Sequence, residues 1–150
     1  MHLPTPRILL LLLALTTPTL TPDFDWNCAN SPETCNNACY AVSCAVPQRP
    51  SLLTYDAARG ARPGRRNAAG CSRALHPCTD PALAYRLSGN SCDEYPFAST
   101  QEGGGGAILR CVALADNASQ GGQLGAFYRH AGGIPNGHQF NIFIRNYANS

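Results

Sequence analysis

Eight cysteines in a chain of 150 residues constrain the fold more than any other feature. All eight follow an apolar leader. His2 and Arg7 precede the run Ile8 to Leu15, and small and polar residues come after it. That run is shorter than the ~20 apolar residues needed to span a bilayer. A basic start, a short apolar core and a polar exit form a secretory signal pattern. Residues 1–20 are therefore expected to be a signal peptide, cleaved between residues 16 and 22. An even cysteine count behind such a leader implies an oxidising compartment. Up to four disulfides are expected among Cys28, Cys35, Cys39, Cys44, Cys71, Cys78, Cys92 and Cys111. Eight cysteines allow roughly a hundred pairings, so connectivity is open. Cys35, Cys39 and Cys44 are spaced in a way that zinc could use, but secretion favours disulfides. Without the leader roughly 130 residues remain, the length of one domain with one modest core.

Charge is distributed unevenly. The chain has no lysine, so its fixed cations are arginines. Arg49, Arg59, Arg62, Arg65, Arg66 and Arg73 stand against the single acid Asp56, a local charge of +5. Arginine forks match phosphate oxygens bidentately, so this stretch is a candidate phosphate contact, with Arg65 and Arg66 at its centre. A solvated basic loop is the plainer alternative.

Residues 23–70 read as a Cys-rich N-terminal segment with an Arg-rich loop, and residues 71–150 as a core. Gly60, Pro63 and Gly64 mark Ser51 to Ala69 as an exposed loop. Asp80-Pro81 is a helix start, predicting a helix over Ala82–Leu87. The apolar stretch Ala107 to Leu114 predicts a strand after a turn at Gly103–Gly106. The glycine run is not a phosphate loop, because no Gly-Lys-Ser/Thr follows it. Asp116-Asn117 can cap a helix over Ala118 to His130. Gln139 to Arg145 alternates polar and apolar residues, the pattern of a half-buried strand.

Three of the nine acids, Asp93, Glu94 and Glu102, fall within ten residues. They sit beside a cysteine, an aromatic-proline pair and glycines, a poor setting for a merely solvated surface. A hairpin followed by a helix would bring them near Asp116 and Asn117. Carboxylates and an amide oxygen are hard ligands suited to Mg²⁺, Mn²⁺ or Ca²⁺. A carboxylate beside such an ion can activate water against a phosphodiester. The alternative is structural: Asp116 only caps a helix, and Asp93 and Glu94 pair with arginines.

The order Cys92-Asp93-Glu94-Tyr95-Pro96-Phe97-Ala98, then Glu102-Gly103-Gly104, then Asp116-Asn117 opening a glycine-containing helix, resembles the NucA/NucB family of secreted deoxyribonucleases. Its bacterial members carry Asp-Glu-Trp-Pro, Glu-Gly-Gly and Asp-Asn-Arg-Gly in that order. Tyr95 stands in place of the Trp and Ala118 in place of the Arg. The resemblance covers roughly Cys71 to Arg145. It implies a small disulfide-stabilised α+β domain with a ββα-metal nuclease-like core. By the same resemblance Asp93 is the base and Glu94 its catalytic partner or a metal ligand. Asn117 is the helix-borne metal ligand, Glu102 and Asp116 are further acids of the metal site, and Arg110 holds the scissile phosphate. The expected cofactor is magnesium or manganese, with calcium as a further candidate. The expected protein is an extracellular monomer that cuts DNA with little sequence preference and has no stable membrane association once its leader is removed.

Two features pull the other way. Asn117-Ala118-Ser119 is a glycosylation sequon, and a glycan on Asn117 excludes metal ligation by the same side chain. His76, His130 and His138 leave room for a metal-free histidine mechanism, although His130 also suits a helix C-terminus. The non-enzymatic alternative is a disulfide-rich secreted binding or effector protein on the same fold.

Overall fold

The computed structural model describes residues 21–72, 78, 89–130 and 133–145. The expected signal peptide and the helix expected over Ala82–Leu87 lie outside the described residues. The described chain is α+β, with a three-stranded sheet, a two-stranded hairpin and helices between them.

β1 (Asp23–Asn27) alternates, turning Phe24 and Trp26 inward and Asp23 and Asp25 outward. A disulfide between Cys28 and Cys35 then leads into α1 (Pro32–Ser43). Proline in the first turn costs this helix no hydrogen bond. Its inward face carries Thr34, Cys35, Asn37, Ala38 and Ala41, at helical spacing. The two alanines allow close approach to the hairpin behind.

β2 (Leu52–Thr54) and α2 (Ala61–Ala69) occupy the stretch expected as a loop. The helix has a local cause. Arginine and alanine are strong helix formers, and Pro63 falls in the first turn, where its missing N–H is not needed. Gly70, with φ of 91°, closes the helix by donating to the Arg66 and Asn67 carbonyls.

β3 (Ser91–Tyr95) and β4 (Ile108–Val112) form an antiparallel hairpin in which Asp93 faces Arg110 and Glu94 faces Leu109. The connection between them packs tightly. A Cβ on Gly103 would lie 2.2 Å from the Phe97 carbonyl oxygen, so only glycine fits there. α3 (Leu114–Arg129) follows β4, completing a ββα order. It begins at Leu114, so Asp116 and Asn117 lie inside its first turn rather than ahead of it. β5 (Gln139–Arg145) matches the expected strand and forms the middle of the sheet, parallel to β1 and antiparallel to β2. Residues 23–70 therefore share one sheet with the C-terminal strand.

Phe24, Trp26, Leu53, Tyr95, Phe97, Leu124, Tyr128 and Phe140 are the large members of the core. Trp26 meets Phe97 edge-on at 5.6 Å, joining the sheet to the segment after the acids. The Cys71–Cys92 and Cys78–Cys111 disulfides clamp the hairpin from the other side. Among the described residues three disulfides form rather than four, and Cys39 and Cys44 are free. Cys44 still closes a helical bond to the Tyr40 carbonyl. Side chains five residues apart on a helix point roughly 140° away from each other. No described helix is long and apolar enough to cross a membrane.

Candidate active site

β3 carries Asp93 and Glu94 into a cleft of about 490 Å³ between α2 and α3. Both carboxylates are nearly sealed from solvent, at 4% and 5% exposure. Two adjacent acids cannot ionise cheaply in such a setting. Burial, chiefly, pushes the Asp93 carboxyl up to about 7; the neighbouring charge of Glu94 adds to this, while a hydrogen bond from Asn37 opposes it. Burial likewise pushes Glu94 up to about 7, against the opposing pull of Arg66 and then Arg62.

Each acid is held by a different helix. Asn37, buried on α1, donates through Nδ2 to Asp93 Oδ2 at 2.9 Å and to the Ile108 carbonyl at 3.2 Å. Arg66, on α2, reaches Glu94 Oε1 at 2.9 Å and also bonds the Cys71 and Cys92 carbonyls. Glu94 Oε2 is buried and has no hydrogen-bond partner among the described residues. An orphaned carboxylate oxygen is costly and calls for a cation or a donor from outside the chain.

Asn117 lines the same cleft. Its Nδ2 donates to Ser91 Oγ at 2.9 Å and to the Cys92 carbonyl at 3.0 Å. The nitrogen that would carry a glycan is thus engaged, and Oδ1 takes no part in either bond. Arg62 and Arg129 line the cleft as well, together with the buried Gln120.

The remaining expected site residues lie elsewhere. Glu102 accepts the Thr54 amide with both oxygens, at 3.0 and 2.9 Å, tying the glycine turn to β2. Asp116 Oδ2 accepts the Glu33 amide at 2.8 Å, so it caps α1 and not its own helix. Arg110 pairs with Glu33 at 2.6 Å on the α1 side of the hairpin. Arg65 pairs with Asp56 and reaches the Ala98 carbonyl at 3.4 Å. None of these four lines the cleft. Arg66 and Arg62, from the basic stretch expected at phosphate, do line it.

His130 and His138 line a second cleft of about 580 Å³, floored by Phe24, Phe127 and Ile134. It holds neither Asp93 nor Glu94, so these histidines and the buried acids do not share a site. His76 lies outside the described residues.

Asn37, Tyr55, Gln120 and Arg129 line or support the acids without having been marked by the sequence. Arg129 ends the apolar helix pattern in its last turn, a cation position that the sequence makes visible. The others carry no local signal.

The model of the family described as deoxyribonuclease NucA/NucB matches residues 38–143. The match starts well before Cys71 and includes the second half of α1, all of α2 and the ββα unit. No individual curated protein matches the chain.

Proposed function

The chain belongs to the NucA/NucB deoxyribonuclease family, and on that premise we propose a secreted, metal-dependent endonuclease that hydrolyses DNA with little sequence preference. One observation carries the reading. Asp93 and Glu94 both line an arginine-walled cleft, and Glu94 Oε2 is buried with no hydrogen-bond partner among the described residues. Secretion is supported by the leader and by the three disulfides.

The donor set fits a hard divalent cation. Glu94 Oε2 and Asn117 Oδ1 are the oxygens that would hold it. Glu102 and Asp116 accept backbone amides elsewhere and would not hold the ion. When bound, the ion supplies Lewis-acid stabilisation of the charge that builds on the phosphoryl oxygens.

The chain's own residues do the rest. Asp93 accepts the proton of the attacking water, and its carboxyl, raised to about 7, is matched to neutral pH. Asn37 fixes that carboxylate in one orientation. The water oxygen bonds to phosphorus, one phosphorus–oxygen ester bond breaks, and the departing oxygen takes up a proton. Arg62, Arg66 and Arg129 hold phosphate oxygens from the two helical walls. Contacts to phosphate carry no sequence information, which accounts for low specificity.

The test is plasmid DNA incubated with the mature secreted protein, with and without EDTA. Cleavage abolished by EDTA and restored by excess Mg²⁺ or Mn²⁺ is the expected result. EDTA-resistant cleavage would point to the histidines. No cleavage of the plasmid or of its heat-denatured strands with Mg²⁺, Mn²⁺ or Ca²⁺ would point to a binding protein on a nuclease fold.

A further inference from the structure

Tyr55 follows β2 and is fixed on both sides of its backbone. Its N–H donates to the His138 carbonyl at 2.9 Å, and its carbonyl accepts the Gly137 amide at 2.8 Å. It also bridges to Thr100. Behind its ring lies Tyr128, stacked with a centroid separation of 4.0 Å and an interplanar angle of 24°. Tyr128 is itself immobilised: it is buried, and its hydroxyl bonds Ser99 Oγ at 2.8 Å. Tyr55 is half-buried, its ring is backed by a second ring, and it lines the cleft that holds Asp93 and Glu94. Arg62 and Arg129 line that same cleft.

A rigid aromatic ring with cations beside it is the arrangement by which proteins hold unpaired nucleotides, stacking the base and gripping its phosphates. A paired base inside a duplex has both faces covered by its neighbours and cannot use such a ring. The acids are only 4% and 5% exposed, so a strand must enter the cleft for its phosphate to reach them. We propose that Tyr55 is a stacking platform for one unpaired base, and that the cleft takes single-stranded DNA in preference to intact duplex. The inference rests on the deoxyribonuclease reading of this cleft.

Binding in EDTA reads the platform independently of any cleavage. A fluorescent single-stranded oligonucleotide and the duplex made with its complement are titrated with wild type, Tyr55→Ala and Tyr55→Phe. Anisotropy is expected to show tighter binding of the single strand by wild type. Tyr55→Ala should weaken that binding about tenfold or more, Tyr55→Phe should retain it, and duplex binding should change less than about twofold. An abasic nucleotide scanned along the single strand gives a test that leaves the protein intact. At one position it should weaken wild type as Tyr55→Ala does, and it should add little to the loss in that variant. Equal losses on single strand and duplex, or a wild type that prefers duplex, would overturn the inference. Metal-dependent cleavage with that outcome leaves the nuclease reading standing. Single-strand binding lost in Tyr55→Ala, without cleavage under any metal, sinks the nuclease reading and keeps the platform.

Discussion

Asn37 Nδ2 lies 2.9 Å from Asp93 Oδ2, and the same nitrogen bonds the Ile108 carbonyl at 3.2 Å on the neighbouring strand. One buried amide thus ties the N-terminal helix, the candidate base and β4 together. Removing it leaves a buried carboxylate without its donor. Such a loss costs about 1–3 kcal/mol of stability. We expect Asn37→Ala to lower kcat at least about tenfold while KM changes little. Asn37→Asp should be worse, because it sets a like charge against Asp93. Leu53→Ala, a core truncation away from the cleft, serves as a stability control. It should lower the melting temperature comparably and keep kcat. A kcat for Asn37→Ala equal to that of the control would remove Asn37 from the mechanism.

Asp93 and Glu94 make stability depend on pH. Their carboxyls are raised from the ordinary carboxylate range near 4 to about 7. Between those values the folded chain binds more protons than the unfolded chain, so metal-free stability falls as pH rises through this window. Asp93→Asn removes one of the two penalties. In EDTA at pH 8 the variant should melt several degrees above wild type, and the gap should close near pH 4. A variant that melts below wild type at pH 8 would contradict the assignment.

Asp116 caps α1 from across the fold, accepting the Glu33 amide. Losing a cap of this kind costs on the order of 1 kcal/mol. Asp116→Ala should therefore melt a few degrees lower, with cleavage per folded molecule and metal concentration dependence unchanged. A weakened metal response would return Asp116 to the metal site.

Asn117 should be unglycosylated. Its Nδ2 is engaged with Ser91 and Cys92, leaving the folded sequon closed. Peptide mass spectrometry of secreted protein is expected to find Asn117 bare. An occupied Asn117 would sink its role as a ligand.

What the sequence discloses here is set by distance along the chain. The alternation of Gln139 to Arg145 and the apolar stretch before Leu114 are local patterns, and both appear as strands. The acids Asp93 and Glu94 were marked by their neighbours and by motif order. Their partners were not, because Asn37 is 56 residues from Asp93 and Arg66 is 28 from Glu94. Asp116 looked like a cap for its own helix, and only the tertiary fold gives it to a helix 83 residues away. Arg110 lies opposite Asp93 on the hairpin, yet Glu33 takes its guanidinium. α2 escaped detection because its glycines and proline read as breakers, although they fall at positions that a short helix tolerates.

The most direct measurement compares wild type and Asp93→Asn on the same DNA at saturating Mg²⁺ or Mn²⁺, with both proteins shown to be folded. A general base contributes about 10² to 10⁴ in rate. The account predicts a loss in that range with DNA binding retained. Cleavage by Asp93→Asn within about tenfold of wild type would contradict Asp93 as the base.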